Sequence, residues 1–434
     1  MASISRKDLQ QLIDANIITT DTADKIEAFF TTKENKAEQQ GKLNTVFVIL
    51  GALLISLSII LFIAHNWDGL NKTAKTVSAF LPLAIAQLLC VFALLYKKES
   101  NLWREASAIV LFFAVPASIS LISQVYHING TMQQFLFTWI LLTAPLVYLM
   151  RSAIIALLLI AVASWYAVAA GYDYYYSDNN VPWLYLMVLV FVAPHYYNYI
   201  KQKNDSNYLN WYNWFIPISR LICLGSFQGR TFHSERISYT GYAALLTLFY
   251  QIGNNKKASE TFFANPYFKL GLIGIIVIFL MLSFENFWND FQFDKMVFDS
   301  AFVYISAILF CTCVYIFIKQ NKKLNFRNFN PVEIALYVLV IAIFAGKLTG
   351  VFIINGWLLV IALWYILRGS AQNNFALMNL GLLIIATLAV MRFFDDDIPF
   401  VWRGFFFLIT GIGFFAANYN LIRRRKHLAQ KKSL

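Results

Sequence analysis

Residues 44–68 constrain the fold more than any other stretch. Positions 44–64 read NTVFVILGALLISLSIILFIA, without one formal charge, and are followed by His65-Asn66-Trp67-Asp68. A helix of that length crosses the ~30 Å hydrocarbon core of a bilayer. Its end, a tryptophan among hydrogen-bonding groups, suits a membrane–water interface. The same pattern, a long apolar run that stops on polar groups, recurs as far as residue 417. Composition agrees: 59% of residues are hydrophobic and 13% charged, against about 25% charged in a soluble domain. The net charge of +12 invites a nucleic-acid partner. However, the basic residues sit between apolar runs and form no span-free basic domain. The chain is therefore expected to be an all-α polytopic membrane protein whose partner is the lipid bilayer and not nucleic acid.

Fourteen apolar runs are expected to be transmembrane helices. Their limits are 44–64, 74–96, 105–125, 135–150, 152–170, 181–200, 211–228, 237–252, 265–284, 298–318, 332–346, 350–367, 375–391 and 399–417. With the N-terminus inside, most of the 35 Lys and Arg residues fall in inner segments, as the positive-inside rule requires. Both termini are then cytoplasmic. The four cysteines, Cys90, Cys223, Cys311 and Cys313, all lie in apolar runs and read as small hydrophobes.

A shift of about 220 residues lays the first six runs on the last six. Gly51 precedes Asn66-Trp67-Asp68 as Gly271 precedes Asn286-Phe287-Trp288-Asn289-Asp290, and the segment from Trp139 to Arg151-Ser152 resembles that from Trp357 to Arg368-Gly369-Ser370. The expected organisation is a cytoplasmic helical hairpin at 1–42, a six-span repeat at 43–200, a two-span insert at 201–262, a second, parallel six-span repeat at 263–418 and a basic cytoplasmic tail at 419–434. In the hairpin, Ser5 and Asp8 stand at capping-box spacing. Parallel repeats of this kind build transporters.

Candidate functional residues form two groups. Ser120, Ser123, Gln124 and His127 follow Pro116 at helical spacing, as a polar stripe. Such a stripe is either helix–helix glue or the lining of a substrate path. Pro116 also frees a backbone carbonyl one turn earlier. Arg220 is the deepest charge and needs a counter-group or a cavity, because insertion of an arginine costs at least ~2.5 kcal/mol. Glu105 and Glu333 are the candidate partners. Its span divides into Trp211–Ile218 and Leu221–Phe227 and reads as either one helix or a broken segment. The second group is expected on the outer face: His65, Asn66, Asp68, Glu285, Asn286, Asp290, Arg392, Asp395 and Arg403. Three adjacent carboxylates, Asp395 to Asp397, are either a cation site or a solvated turn. No zinc signature, nucleophile elbow, Walker loop or dinucleotide fingerprint occurs, so no cofactor, metal or catalytic residue is expected.

Three pieces resemble a known family. They are Gly51-Ala-Leu-Leu with Asn66-Trp67-Asp68, then Gln124-Val-Tyr126-His127-Ile-Asn129-Gly130, then Trp139-Ile-Leu-Leu with Tyr148 and Arg151-Ser152. Residues 5–155 are similar to the bacterial predicted membrane proteins grouped as domain of unknown function 2157. The resemblance implies a multi-pass protein of the bacterial inner membrane and brings no reaction with it. Three functions stay open at this stage. One is a transporter or flippase-like protein with a polar path between repeats. Another is a scaffold or sensor subunit with a membrane partner or a second copy. The third is a membrane enzyme acting on a lipid headgroup.

Overall fold

The computed structural model describes residues 71–172, 181–201, 207–228, 235–255, 265–288, 300–320 and 330–393, together with isolated positions at 22, 47–61, 69 and 401–415. The N-terminal hairpin and the basic tail lie outside the described residues, apart from position 22. The described chain is helical, with no strand. Its helices are α1 Lys72–Tyr96, α2 Asn101–Tyr126, α3 Met132–Thr143, α4 Leu146–Leu149, α5 Ala153–Gly171, α6 Trp183–Lys201, α7 Asn207–Leu224, α8 Glu235–Asn255, α9 Pro266–Leu282, α10 Ala301–Gln320, α11 Pro331–Ala345, α12 Lys347–Ala371 and α13 Phe375–Phe393.

Among the described residues, seven helical segments are long and apolar enough to cross a membrane: α1, α2, α3 with α4, α5, α10, α12 and α13. Seven of the fourteen expected runs are thus helices of this kind among the described residues. The runs at 44–64 and 399–417 are described only at isolated helical positions. Of the rest, α9 has 17 residues and α11 has 15, about 25 and 22 Å at the rise of an α-helix. The segments α6, α7 and α8 fall short in apolarity.

The chain divides into two compact units, residues 1–162 and 163–434, and the division falls within α5. In the first unit α1 and α2 form an antiparallel hairpin. Asn71 caps α1 by accepting from the Ala74 amide at 2.8 Å, and Ser100 caps α2. The buried face of α1 is Ala79, Pro82, Ala86, Cys90 and Ala93. Small residues at this spacing let two backbones approach closely. The Ser118 hydroxyl then reaches the Ala79 carbonyl at 2.7 Å, and the Cys90 thiol reaches the Ser107 carbonyl at 3.3 Å.

Pro116 has the effect expected of it. It has no amide hydrogen, so the Phe112 carbonyl lacks its helical donor. The indole Nε1 of Trp139, on α3, donates to that carbonyl at 3.0 Å. At the start of α2 Arg104 donates to the Met150 carbonyl. The neighbouring Glu105 accepts from the Ser152 hydroxyl and from the Ala153 amide at 3.1 Å. A buried carboxylate thus caps the start of α5, where the helix dipole favours negative charge.

In the second unit α8 is the hub. It packs on α7, α9, α10 and α11, while α12 packs on α9, α11 and α13. Gly271 of α9 lies against α8 so closely that a Cβ would collide with the backbone of Leu246 and Tyr250. Its proposed repeat mate Gly51 has open space beside it. Further differences separate the two halves. The run at 135–150 breaks at Ala144-Pro145 between α3 and α4, whereas α12 is continuous over 25 residues. Trp357 donates to a carbonyl as Trp139 does, but to Pro331 at the start of α11 (3.1 Å) and not to mid-helix.

Candidate functional site

The run 211–228 is one helix through Arg220. It continues as α7 to Leu224 and ends in a 3-10 turn over Gly225–Phe227. Pro217 lies inside it and leaves the Asn213 carbonyl without its helical donor. One turn later Arg220 stands half-buried.

Polar and aromatic side chains from α5, α6 and α9 converge on α7. The Ser219 hydroxyl bonds to the Tyr185 hydroxyl of α6 at 2.7 Å and to the Ser164 hydroxyl of α5 at 2.8 Å. The Tyr196 hydroxyl donates to Asn213 Oδ1 at 2.6 Å and also bonds to Tyr267 of α9. His195 Nδ1 bonds to the Tyr212 hydroxyl at 2.9 Å. The Cys223 thiol turns toward the Ser164 carbonyl. The Arg220 guanidinium acts electrostatically on the phenols Tyr185, Tyr196 and Tyr267. Among the described residues it makes no hydrogen bond and no ion pair.

Neither expected carboxylate partner is available. Glu105 is engaged at the start of α5. Glu333 accepts from Asn254 at 2.9 Å and from Asn330 at 3.4 Å. A guanidinium has five donors and no acceptor. With no carboxylate in contact among the described residues, its donors are free for an anionic oxygen from outside the protein.

The α2 stripe is arranged differently. Pro116 is buried, Ser123 half-buried, and Ser120, Gln124 and His127 are exposed. The buried polar face of α2 is Glu105, Ser107 and Ser118. His127 has φ 51° and ψ 43° and terminates the helix in the left-handed conformation. The Ile128 amide then returns to the Ser123 carbonyl at 2.9 Å, the geometry of a Schellman C-cap.

Two of the nine outer-face residues meet at the end of α9. Glu285 forms an ion pair with Lys347 at 2.8 Å. Arg392 donates to the Ser283 carbonyl and to Asn355 Oδ1 (3.0 Å for the latter), and its guanidinium lies over the Phe284 ring. Asn355 donates to the same Ser283 carbonyl at 3.1 Å. Arg392 therefore caps a helix end. Asn286 is exposed. His65, Asn66, Asp68, Asp290, Asp395 and Arg403 lie outside the described residues. No group of three or more His, Cys, Asp or Glu positioned to hold a metal occurs among the described residues.

Tyr185, Tyr196, Tyr267 and Asn213 were not picked out from sequence. One signal was present: Asn213 and Arg220 are seven residues apart, hence on one helical face. The tyrosines carry none, because aromatic residues are frequent throughout this chain.

Residues 10–156 match the family described as predicted membrane protein (DUF2157). The match takes in the α2 stripe and the Glu105–Ser152 contact and leaves out Arg220. No curated protein and no solved structure matches the chain. The matched family and the apolar helices identify an integral membrane protein, and no further activity follows from them.

Proposed function

We propose that the chain is a transporter, flippase-like in build, that binds a negatively charged group of its substrate at Arg220. The supporting observation is a half-buried guanidinium whose charge is felt by the phenols Tyr185, Tyr196 and Tyr267, with no carboxylate partner among the described residues. An ionised residue placed in this way marks a substrate or ion pathway. The reading carries with it the fuller architecture: fourteen spans, parallel six-span repeats that alternate access around the site, both termini cytoplasmic, and a place in the bacterial inner membrane. The second reading, a scaffold or sensor subunit with a membrane partner or a second copy, is favoured by one observation. Ser118, Trp139, Glu105 and Arg392 all use their polar groups on neighbouring helices.

Binding of inorganic phosphate tests the site. Isothermal titration of phosphate into the purified full chain should show saturable binding that Arg220→Gln removes and Arg220→Lys partly keeps. If phosphate does not bind, or binds the Arg220→Gln protein equally well, the anion site is refuted and the scaffold reading stands.

A further inference from the structure

We propose that the first unit holds one acyl chain of an anionic phospholipid in the groove between the helical residues Val48, Gly51 and Ile55, α1 and α2, with the headgroup at Lys97 and Lys98. This goes beyond the Arg220 site and does not depend on it. The groove has a volume of about 350 Å³ and is lined by Gly51, Ile55, Pro82, Leu89, Trp103 and Phe113, among others. Two of its liners carry a polar group. Ser107 returns its hydroxyl to the Trp103 carbonyl at 2.7 Å, and the indole N–H of Trp103 belongs to the start of α2. Along the rest of the groove the walls offer a ligand no hydrogen bond, and the occupant must be apolar there.

The length of the groove points to the same ligand. Both Trp103 and Ala117 line it, and the fourteen helical steps from one to the other span about 21 Å along α2. That exceeds half of a ~30 Å hydrocarbon core, which is the depth of one leaflet. Trp103 stands at the start of α2, is 44% exposed, and meets Phe92 edge-on at 5.6 Å. An aromatic side chain so placed marks the headgroup level. The adjoining α1–α2 turn exposes Lys97 and Lys98. Glu99 follows them and leaves the turn net positive. Arg104 is already held by the Met150 carbonyl. The positive-inside distribution puts this turn on the cytoplasmic side, where basic residues between helices attract anionic headgroups.

Gly51 provides the test. A Cβ built there meets nothing within 4 Å, so a larger side chain would fill the groove without a clash. The full chain, purified in mild detergent, is presented with phosphatidylglycerol or phosphatidylcholine of equal acyl length, and retained lipid is counted by native mass spectrometry. One phosphatidylglycerol per chain is expected. Gly51→Leu should lower its retention roughly tenfold, because leucine takes the place of buried methylenes, with an unchanged unfolding temperature. Lys97→Gln with Lys98→Gln should reduce phosphatidylglycerol retention to the phosphatidylcholine level. Ala106→Leu, on the opposite wall, repeats the groove test should Gly51→Leu fail to fold. Equal retention of the two lipids, undiminished retention in a folded groove-filled variant, or occupancy of the groove by a second protein chain would each overturn the proposal.

Discussion

Glu105→Ala separates the contribution of one buried carboxylate from that of the hydrophobic packing around it. Glu105 is 8% exposed and accepts from the Ser152 hydroxyl and the Ala153 amide. Removing it leaves the start of α5 with buried donors and no acceptor. Each hydrogen bond to a charged group contributes about 1.5–3 kcal/mol, and the position at a helix N-terminus adds about 0.3–1 kcal/mol. Part of this is recovered when the Ser152 hydroxyl turns to another acceptor, so a net loss of about 3 kcal/mol is expected. For a unit of some 160 residues that corresponds to a fall of roughly 6–12 °C in its unfolding midpoint. Cys90 is buried in the same unit and Cys313 in the other. Two single-cysteine proteins, heated with a thiol-reactive dye, therefore follow the units one at a time. Glu105→Ala should lower the Cys90 transition by that amount and move the Cys313 transition much less. Glu105→Gln keeps one acceptor oxygen and should lose about half as much. If the Cys90 transition stays within 2 °C of the parent, a difference of under ~1 kcal/mol, the carboxylate cap contributes nothing and the reasoning is wrong.

Three further outcomes can be checked. Trp139→Phe should cost about 1 kcal/mol in the parent but much less in a Pro116→Ala background, where the restored amide satisfies the Phe112 carbonyl; a double-mutant cycle of unfolding midpoints reads the coupling. His127→Gly should preserve or raise stability, because glycine adopts φ 51° without strain, so loss of an activity in that folded variant would give His127 a role beyond ending α2. Gly271→Val should abolish the packing of α9 on α8, at a cost of at least about 3 kcal/mol, and should show as loss of the monodisperse peak in size-exclusion chromatography.

The membrane character of the chain could be read from its sequence because lipid demands apolar side chains all round a helix, and α1, α2, α5, α10, α12 and α13 meet that demand. Interior contacts leave no such trace. Ser118, which bonds across to Ala79, looks in sequence no different from Ser120, which is exposed; packing decides burial here, and spacing alone does not reveal it. Arg220 was legible as a lone charge in an apolar run. Its phenols were not, since they come from two other helices, α6 and α9. Glu285 was read with the outer acids and histidines, but its partner is Lys347, which follows Gly346 at the head of α12. The repeat rested on matched glycines and tryptophans. Gly51 and Gly271 differ in surroundings because one borders a groove and the other a helix backbone.

The position of α8 bears on how this protein is made. It contains Thr247, Gln251 and Asn254, and it is not among the helices apolar enough to cross a membrane unaided. Yet Ala243 to Gln251 are almost entirely enclosed by α9, α10 and α11, all of which follow it in the chain. A helix of this composition gains little from lipid and much from protein neighbours. During synthesis α8 leaves the ribosome before the helices that shelter it. Its stable insertion must therefore wait for α9 and α10, which makes the second unit a cooperative step in biogenesis. Truncation after residue 255 should leave α8 poorly integrated, whereas truncation after residue 345 should retain it.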